Sequence, residues 1–218
     1  MTNHQPKTMI TGDLIEYALQ HSSPRDEALL RVEEQTAARS DAQMMMTPEQ
    51  GLFTTMLVRL TGVRQALEVG TFTGYGAISI ARGLPPDGRL LCLELSAELA
   101  ALAGDNLDAA GVGDKVSIQV GPALDSLRGL PDEATLDLSF IDADKTGYPA
   151  YVEEVLRRTR PGGVMLLDNT LRGGQVLDPG DDEATRTIDA LNVALAEDER
   201  VEVVLLPFAD GLTLVRKR

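Results

Sequence analysis

The chain has 218 residues, 43% of them hydrophobic and 25% charged, the size and mixture of one soluble globular domain. Its 34 acidic residues against 20 basic ones leave a net charge of −14. That balance lacks the broad positive field that nucleic acids and anionic membranes attract, so neither is an expected partner.

A single cysteine, Cys92, excludes an internal disulfide and a cysteine-rich zinc centre; it lies in the run Leu90-Leu91-Cys92-Leu93 and reads as a packed core thiol. Residues 1–12 are polar and broken by Pro6 and Gly12, unlike a signal peptide, and no apolar stretch approaches the ~20 residues that span a bilayer. The expected address is the cytoplasm.

In chain order, residues 1–11 read as a loose terminus. Residues 13–39 carry helical periodicity, broken at Ser22-Ser23-Pro24. Thr47-Pro48-Glu49-Gln50 is a helix start: Thr47 fits the N-cap, Pro48 the first turn and Gln50 the third position of a capping box. That helix is predicted to run to about Leu60 and stop at Gly62.

From Gln65 onward, short apolar runs alternate with amphipathic stretches. The predicted strands are 66–69, 90–93, 116–120, 136–141, 164–167, 201–206 and 212–215; the predicted helices are 75–82, 97–110, 123–129, 148–159 and 182–196. Such alternation means a parallel sheet covered on both faces. The last two strands are joined only by Pro207-Phe208-Ala209-Asp210-Gly211, too short for a helical crossover, so they are predicted as an antiparallel hairpin. The outcome is an α/β fold whose outline resembles that of the Rossmann-like methyltransferases: a seven-stranded, mostly parallel sheet over 65–218, ending in the hairpin, with 13–60 as a helical cap over the carboxyl ends of the strands. All of it is expected to form one domain, 1–218.

Leu67-Glu68-Val69-Gly70-Thr71-Phe72-Thr73-Gly74-Tyr75-Gly76 follows the first strand and opens a helix. Gly70 and Gly74 permit a tight turn and close approach of a ligand. Their spacing is not the G-x-G-x-x-G of dinucleotide binders, which speaks against a nicotinamide oxidoreductase, and no phosphate-binding G-x-x-x-x-G-K-[ST] loop occurs. Glu94, ending the second strand, is positioned to accept the ribose hydroxyls of an adenosine. Glu68, just before the first glycine, is positioned to receive a cofactor's ammonium group. The same glycines also suit an ordinary strand-to-helix turn, and Glu94 a solvated strand end.

Asp142, Asp144 and Lys145 follow the fourth strand; Asp168 and Asn169 follow the fifth. Ligands of open α/β sheets bind at these carboxyl ends. Asp142, Asp168 and Asn169 form an all-oxygen set suited to Mg²⁺, with Ca²⁺ or Mn²⁺ as alternatives. His4 and His21 are the only histidines, and both lie far upstream. A short ligand set leaves positions for two adjacent ring hydroxyls, whose ionisation the cation favours. Lys145, three residues beyond Asp142, is placed to take the proton. The alternatives are an Asx turn at Asp168-Asn169 and a surface ion pair at Lys145.

Read together, these segments resemble the cation-dependent O-methyltransferases of the caffeoyl-CoA and catechol type, over about residues 13–218. The motifs are Met44-Met45-Met46-Thr47-Pro48-Glu49-Gln50-Gly51, the Glu68–Tyr75 segment, Gly121-Pro122-Ala123-Leu124, Ile141-Asp142-Ala143-Asp144-Lys145, Asp168-Asn169-Thr170-Leu171 and Asp210-Gly211-Leu212-Thr213-Leu214. The resemblance implies S-adenosylmethionine as methyl donor, with contacts at Met44, Met46, Glu68, Gly70, Thr71, Phe72, Gly76, Glu94, Ala123 and Asp142. It implies a divalent cation on Asp142, Asp168 and Asn169, with Asp142 and Lys145 as the catalytic pair. It also implies a small phenolic acceptor and a homodimer. Two departures stand out: Gly76 replaces a common serine, and Arg172 replaces the tryptophan of many plant members.

Overall fold

The computed structural model describes residues 8–218, so residues 1–7 of the expected loose terminus lie outside the described residues. Helix α1, Gly12–Gln20, is capped by Thr11, and α2, Glu27–Ala37, by Asp26, whose carboxylate accepts from the Ala28 and Leu29 amides. Helix α3, Pro48–Thr61, starts on the predicted capping box and ends at Gly62 in left-handed conformation.

Seven strands follow: β1 Gln65–Val69, β2 Arg89–Glu94, β3 Val116–Val120, β4 Leu136–Ile141, β5 Thr159–Leu167, β6 Val201–Leu206 and β7 Leu212–Lys217. They are interleaved with α4 Tyr75–Gly83, α5 Ala97–Ala109, α6 Ala123–Gly129, α7 Tyr148–Arg158 and α8 Glu183–Glu197. The sheet order is β3-β2-β1-β4-β5-β7-β6. Strands β1 to β5 are parallel, and β7 runs antiparallel to both β5 and β6. The hairpin therefore inserts its second strand beside β5 and leaves its first at the edge.

Alternation explains the two cores. On β1, Ala66 faces a cluster built with α2, α3 and α4, while Leu67 and Val69 face one built with α6, α7 and α8. Both faces are covered, so the central strands are mostly apolar, with Glu68 and Ser139 as buried polar exceptions. Cys92 is fully buried in the first cluster. Helix α3 packs along α4, where Gly83 makes room for Val58. It is the stretch between α2 and α3, with the first turn of α3, that reaches the carboxyl ends of the strands.

Strand β5 departs from expectation by starting five residues early. Arg160-Pro161-Gly162-Gly163 reads as a turn, yet the chain runs on as an irregular strand whose pairing with β4 shifts register between Leu136 and Leu138. Gly163 is held tightly there, since a Cβ would meet the Leu136 carbonyl at 2.9 Å.

The strand order reverses between β1 and β4, and there the sheet ends are stitched together. The Asp142 amide donates to the Val69 carbonyl at 2.8 Å, the Gly70 amide to Leu93 at 2.9 Å and the Asp168 amide to Ile141 at 3.1 Å. Gly70, at φ 88°, lies directly on the Asp142 backbone. Gly70→Ala is expected to lower stability by about 2 kcal/mol or more, since the side chain meets both an unfavourable φ and a backbone carbonyl; urea unfolding measures it.

Candidate active site

A cavity of about 960 Å³ opens at this reversal point. Every residue named from the sequence as cofactor-binding, metal-ligating or catalytic lines it: Met44, Met46, Glu68, Gly70, Thr71, Phe72, Gly76, Glu94, Ala123, Asp142, Lys145, Asp168 and Asn169. One end is formed by the loops after β1, β2 and β3, the other by those after β4 and β5 and by the β6–β7 turn.

At the first end, Glu94 is more committed than the sequence suggests. Its Oε2 accepts the Thr71 and Phe72 amides at 3.0 and 2.9 Å, and its Oε1 accepts the Ser96 amide at 2.9 Å. A carboxylate offers about four acceptor positions, so roughly one remains for a ribose hydroxyl rather than two. Glu94 thus fixes the glycine loop as well as facing the cavity. The glycines serve protein packing too: Gly70 meets Asp142, and Gly74 meets Ala103 of α5.

Glu68 is buried and its Oε2 is enclosed without a partner, as is the Thr71 hydroxyl. Burial pushes the Glu68 carboxyl up to about 8, and the charges of Asp142 and Glu94 add to the rise. Two orphaned polar atoms beside the loop are what a cationic amino group would satisfy. Gly76 also finds its reason here, because a Cβ would collide with Glu68 Oε1 and crowd Met46.

At the other end, Lys145 donates to Asp142 Oδ1 and to the Tyr148 hydroxyl, both at 2.7 Å. The fully buried Tyr148 hydroxyl lies 3.0 Å from the Ile141 and Asp168 carbonyls, to which it donates, so it braces the ends of β4 and β5. Asp144 accepts the Gly147 amide at 2.9 Å and the Tyr151 hydroxyl at 2.5 Å, which sets the turn carrying Lys145. Asp168 is buried; burial and the nearby Asp142 charge push it up to about 6, against the Asn169 amide and Gln50.

The donor set fits a hard cation. Two carboxylates and an amide line one space, where burial and the Asp142 charge raise Asp168 and Lys145 opposes the rise. Among the described residues, no group of three or more His, Cys, Asp or Glu side chains forms a metal site by itself.

Sequence reasoning missed Gln50 as a site residue. Its Oε1 accepts from the Thr47 amide at 3.1 Å, completing the α3 cap, while its Nε2 donates to Asp168 Oδ1 at 2.8 Å. The capping motif accounted for Gln50 fully, so nothing in the sequence pointed further. Tyr148 and Tyr151 were missed for a similar reason: they read as the apolar face of α7. All four non-glycine residues with positive φ among those described, Phe72, Asn169, Arg172 and Ala209, line this one cavity.

The chain is similar to known proteins along most of its length. The O-methyltransferase family model matches residues 19–218. A caffeoyl-CoA O-methyltransferase from Zea mays is 38% identical, over 95% of this chain and 83% of its own. The solved O-methyltransferase from Bacillus cereus, in complex with SAH, superposes with a TM-score of 0.87 at 34% identity, covering 94% of this chain and 97% of its own. The O-methyltransferase TomG from Streptomyces achromogenes, involved in tomaymycin synthesis and solved with SAM, gives 0.87 at 33% identity, covering 94% and 96%. The chain belongs to the O-methyltransferase family and is an S-adenosylmethionine-dependent enzyme of that class.

Glu68 provides a test of this end of the cavity. A carboxyl raised from 4.5 to about 8 costs the free protein stability as pH rises through that window, because the unfolded chain releases the proton first. Glu68→Gln is expected to raise the melting temperature at pH 8 and flatten its pH dependence. In wild type, S-adenosylhomocysteine is expected to bind more tightly as pH rises toward about 8, with proton release that Glu68→Gln abolishes; calorimetry in buffers of different ionisation enthalpy reads both.

Proposed function

We propose that this enzyme methylates one hydroxyl of a vicinal diphenol, with a divalent cation, Mg²⁺ by the hardness of its ligands, held by Asp142, Asp168 and Asn169. The observation that carries this is the pairing of the Asp142 and Asp168 carboxylates with Asn169 and Lys145 at the far end of the cavity that holds the glycine loop. The caffeoyl-CoA acceptor named for the Zea mays relative, a vicinal diphenol, supports the acceptor class.

When bound, the cation supplies Lewis acidity that favours the ionised acceptor oxygen. The chain's own residues do the rest. Glu68 and Thr71 hold the amino-acid end of the cofactor, and Glu94 keeps the loop beneath it in shape. Asp142 bridges the two ends, with its backbone on Gly70 and its carboxylate on Lys145. Lys145 Nζ takes up the hydroxyl proton. The acceptor oxygen forms its bond to the methyl carbon as the carbon–sulfur bond breaks, and the sulfur keeps the electron pair. Tyr148 and Asp144 hold the turn on which Lys145 sits. The same reading includes a homodimer in the cytoplasm; among the described residues no helix is long and apolar enough to cross a membrane.

Excess chelator is expected to abolish methyl transfer to a catechol, and added Mg²⁺ to restore it, while S-adenosylhomocysteine still binds. Full turnover in chelator removes the cation from the reading. Lys145→Ala is expected to lower kcat by about 10²–10⁴ with little change in cofactor affinity. An unchanged kcat removes Lys145 as the base.

A further inference from the structure

One charged group in the acceptor half of the cavity has no task in the reaction above. Arg172 lines the cavity three residues after Asn169, and its side chain is 27% exposed. The carboxylate it faces, Asp182, stands 3.8 Å from Nη2, outside hydrogen-bond reach. Asp182 is occupied elsewhere, accepting the Thr185 amide at 2.8 Å and the Thr185 hydroxyl as the N-cap of α8. Asp210, on the opposite turn, accepts the Gly173 amide. The Arg172 Nε is enclosed with no acceptor at all. Arg172 thus has an ion-pair neighbour in Asp182 but no hydrogen-bonding acceptor, and a guanidinium partly removed from water gains from one.

Its placement is also fixed. Arg172 has φ 51°, a left-handed conformation unfavourable for a side-chain-bearing residue, and Gly173 and Gly174 continue in the same region. The Thr170 amide donates to Gly211 at 3.1 Å and the Leu171 amide to Asp210 at 2.9 Å, so the β6–β7 turn anchors the segment just before it. A freely solvated loop charge has no need of a strained, anchored backbone.

We propose that Arg172 is a specificity-determining residue that takes a carboxylate on the acceptor, on the side of the ring remote from the reacting hydroxyls. The planar fork matches a carboxylate in a bidentate pair. Asp144 and Asp210 also line the cavity, and Asp182 stands beside Arg172; all three repel an unpaired anion, so discrimination in favour of an acid falls to Arg172. The inference rests on the diphenol reading and narrows it to acidic vicinal diphenols.

The test compares a dihydroxycinnamate with its methyl ester. Wild type is expected to favour the acid about tenfold or more in kcat/KM, and Arg172→Gln to lower kcat/KM for the acid about tenfold to a hundredfold, mostly through KM. The ester is expected to change less than about threefold, and Arg172→Lys to recover part of the loss. Unaltered S-adenosylhomocysteine binding shows that the variants are folded. Equal treatment of acid and ester by wild type, or an equal loss for both in Arg172→Gln, overturns the proposal. If neither compound is methylated, the diphenol reading fails instead. Calorimetric titration with a dihydroxybenzoate then decides Arg172 alone: weaker binding by Arg172→Gln upholds its role, and equal binding overturns it.

Discussion

Gly70 rests on the backbone of Asp142 where any Cβ would run into the carbonyl oxygen, and the Asp142 amide donates to Val69 at 2.8 Å. This contact brings the end of β1 against the end of β4. It puts Glu68 of β1, the loop that carries Thr71 and the turn that carries Asp142 and Lys145 into one cleft. Were those strand ends held apart by even a methyl group, a donor bound on the first loop would lose its alignment with an acceptor on the second. Alignment within a fraction of an ångström is the main thing a protein contributes to such a displacement.

Concentrating acidic groups in one cleft is costly, and each carboxylate is accommodated differently. Glu94 spends its charge on three backbone amides. Glu68 is raised to about 8 by burial and so holds a proton at neutral pH. Asp142 pairs with Lys145, while Asp168 takes two N–H donors on Oδ1 and is still lifted to about 6 by burial and by its neighbour. The groups left least satisfied mark the places where a ligand has most to gain.

Much of the fold was legible because it rests on periodicity and punctuation. The capping box at Thr47, the seven strands and the closing hairpin follow from patterns over a few residues. Strand β5 escaped at its start because Pro161-Gly162-Gly163 carries turn chemistry that pairing with β4 overrides. The candidate site was legible where residue type and strand-end position coincide, as at Glu68, Asp142, Lys145 and Asp168. It was illegible where one side chain has two partners: Gln50 completes a helix cap and also holds Asp168, and Tyr148 fills a core while bracing two strands. Nor does composition reveal that Glu94 is spent on the loop, since that depends on the path of backbone amides in space.

The gathering of Phe72, Asn169, Arg172 and Ala209 in left-handed backbone around one cavity has a wider meaning. Glycine at any of these positions relaxes the main chain but surrenders a side chain that faces the ligand space. Selection for heat resistance alone would therefore drift toward such relaxations, and toward a sturdier fold with a blunter cleft. In this molecule, durability and selectivity draw on the same few torsion angles, so neither can be optimised without watching the other.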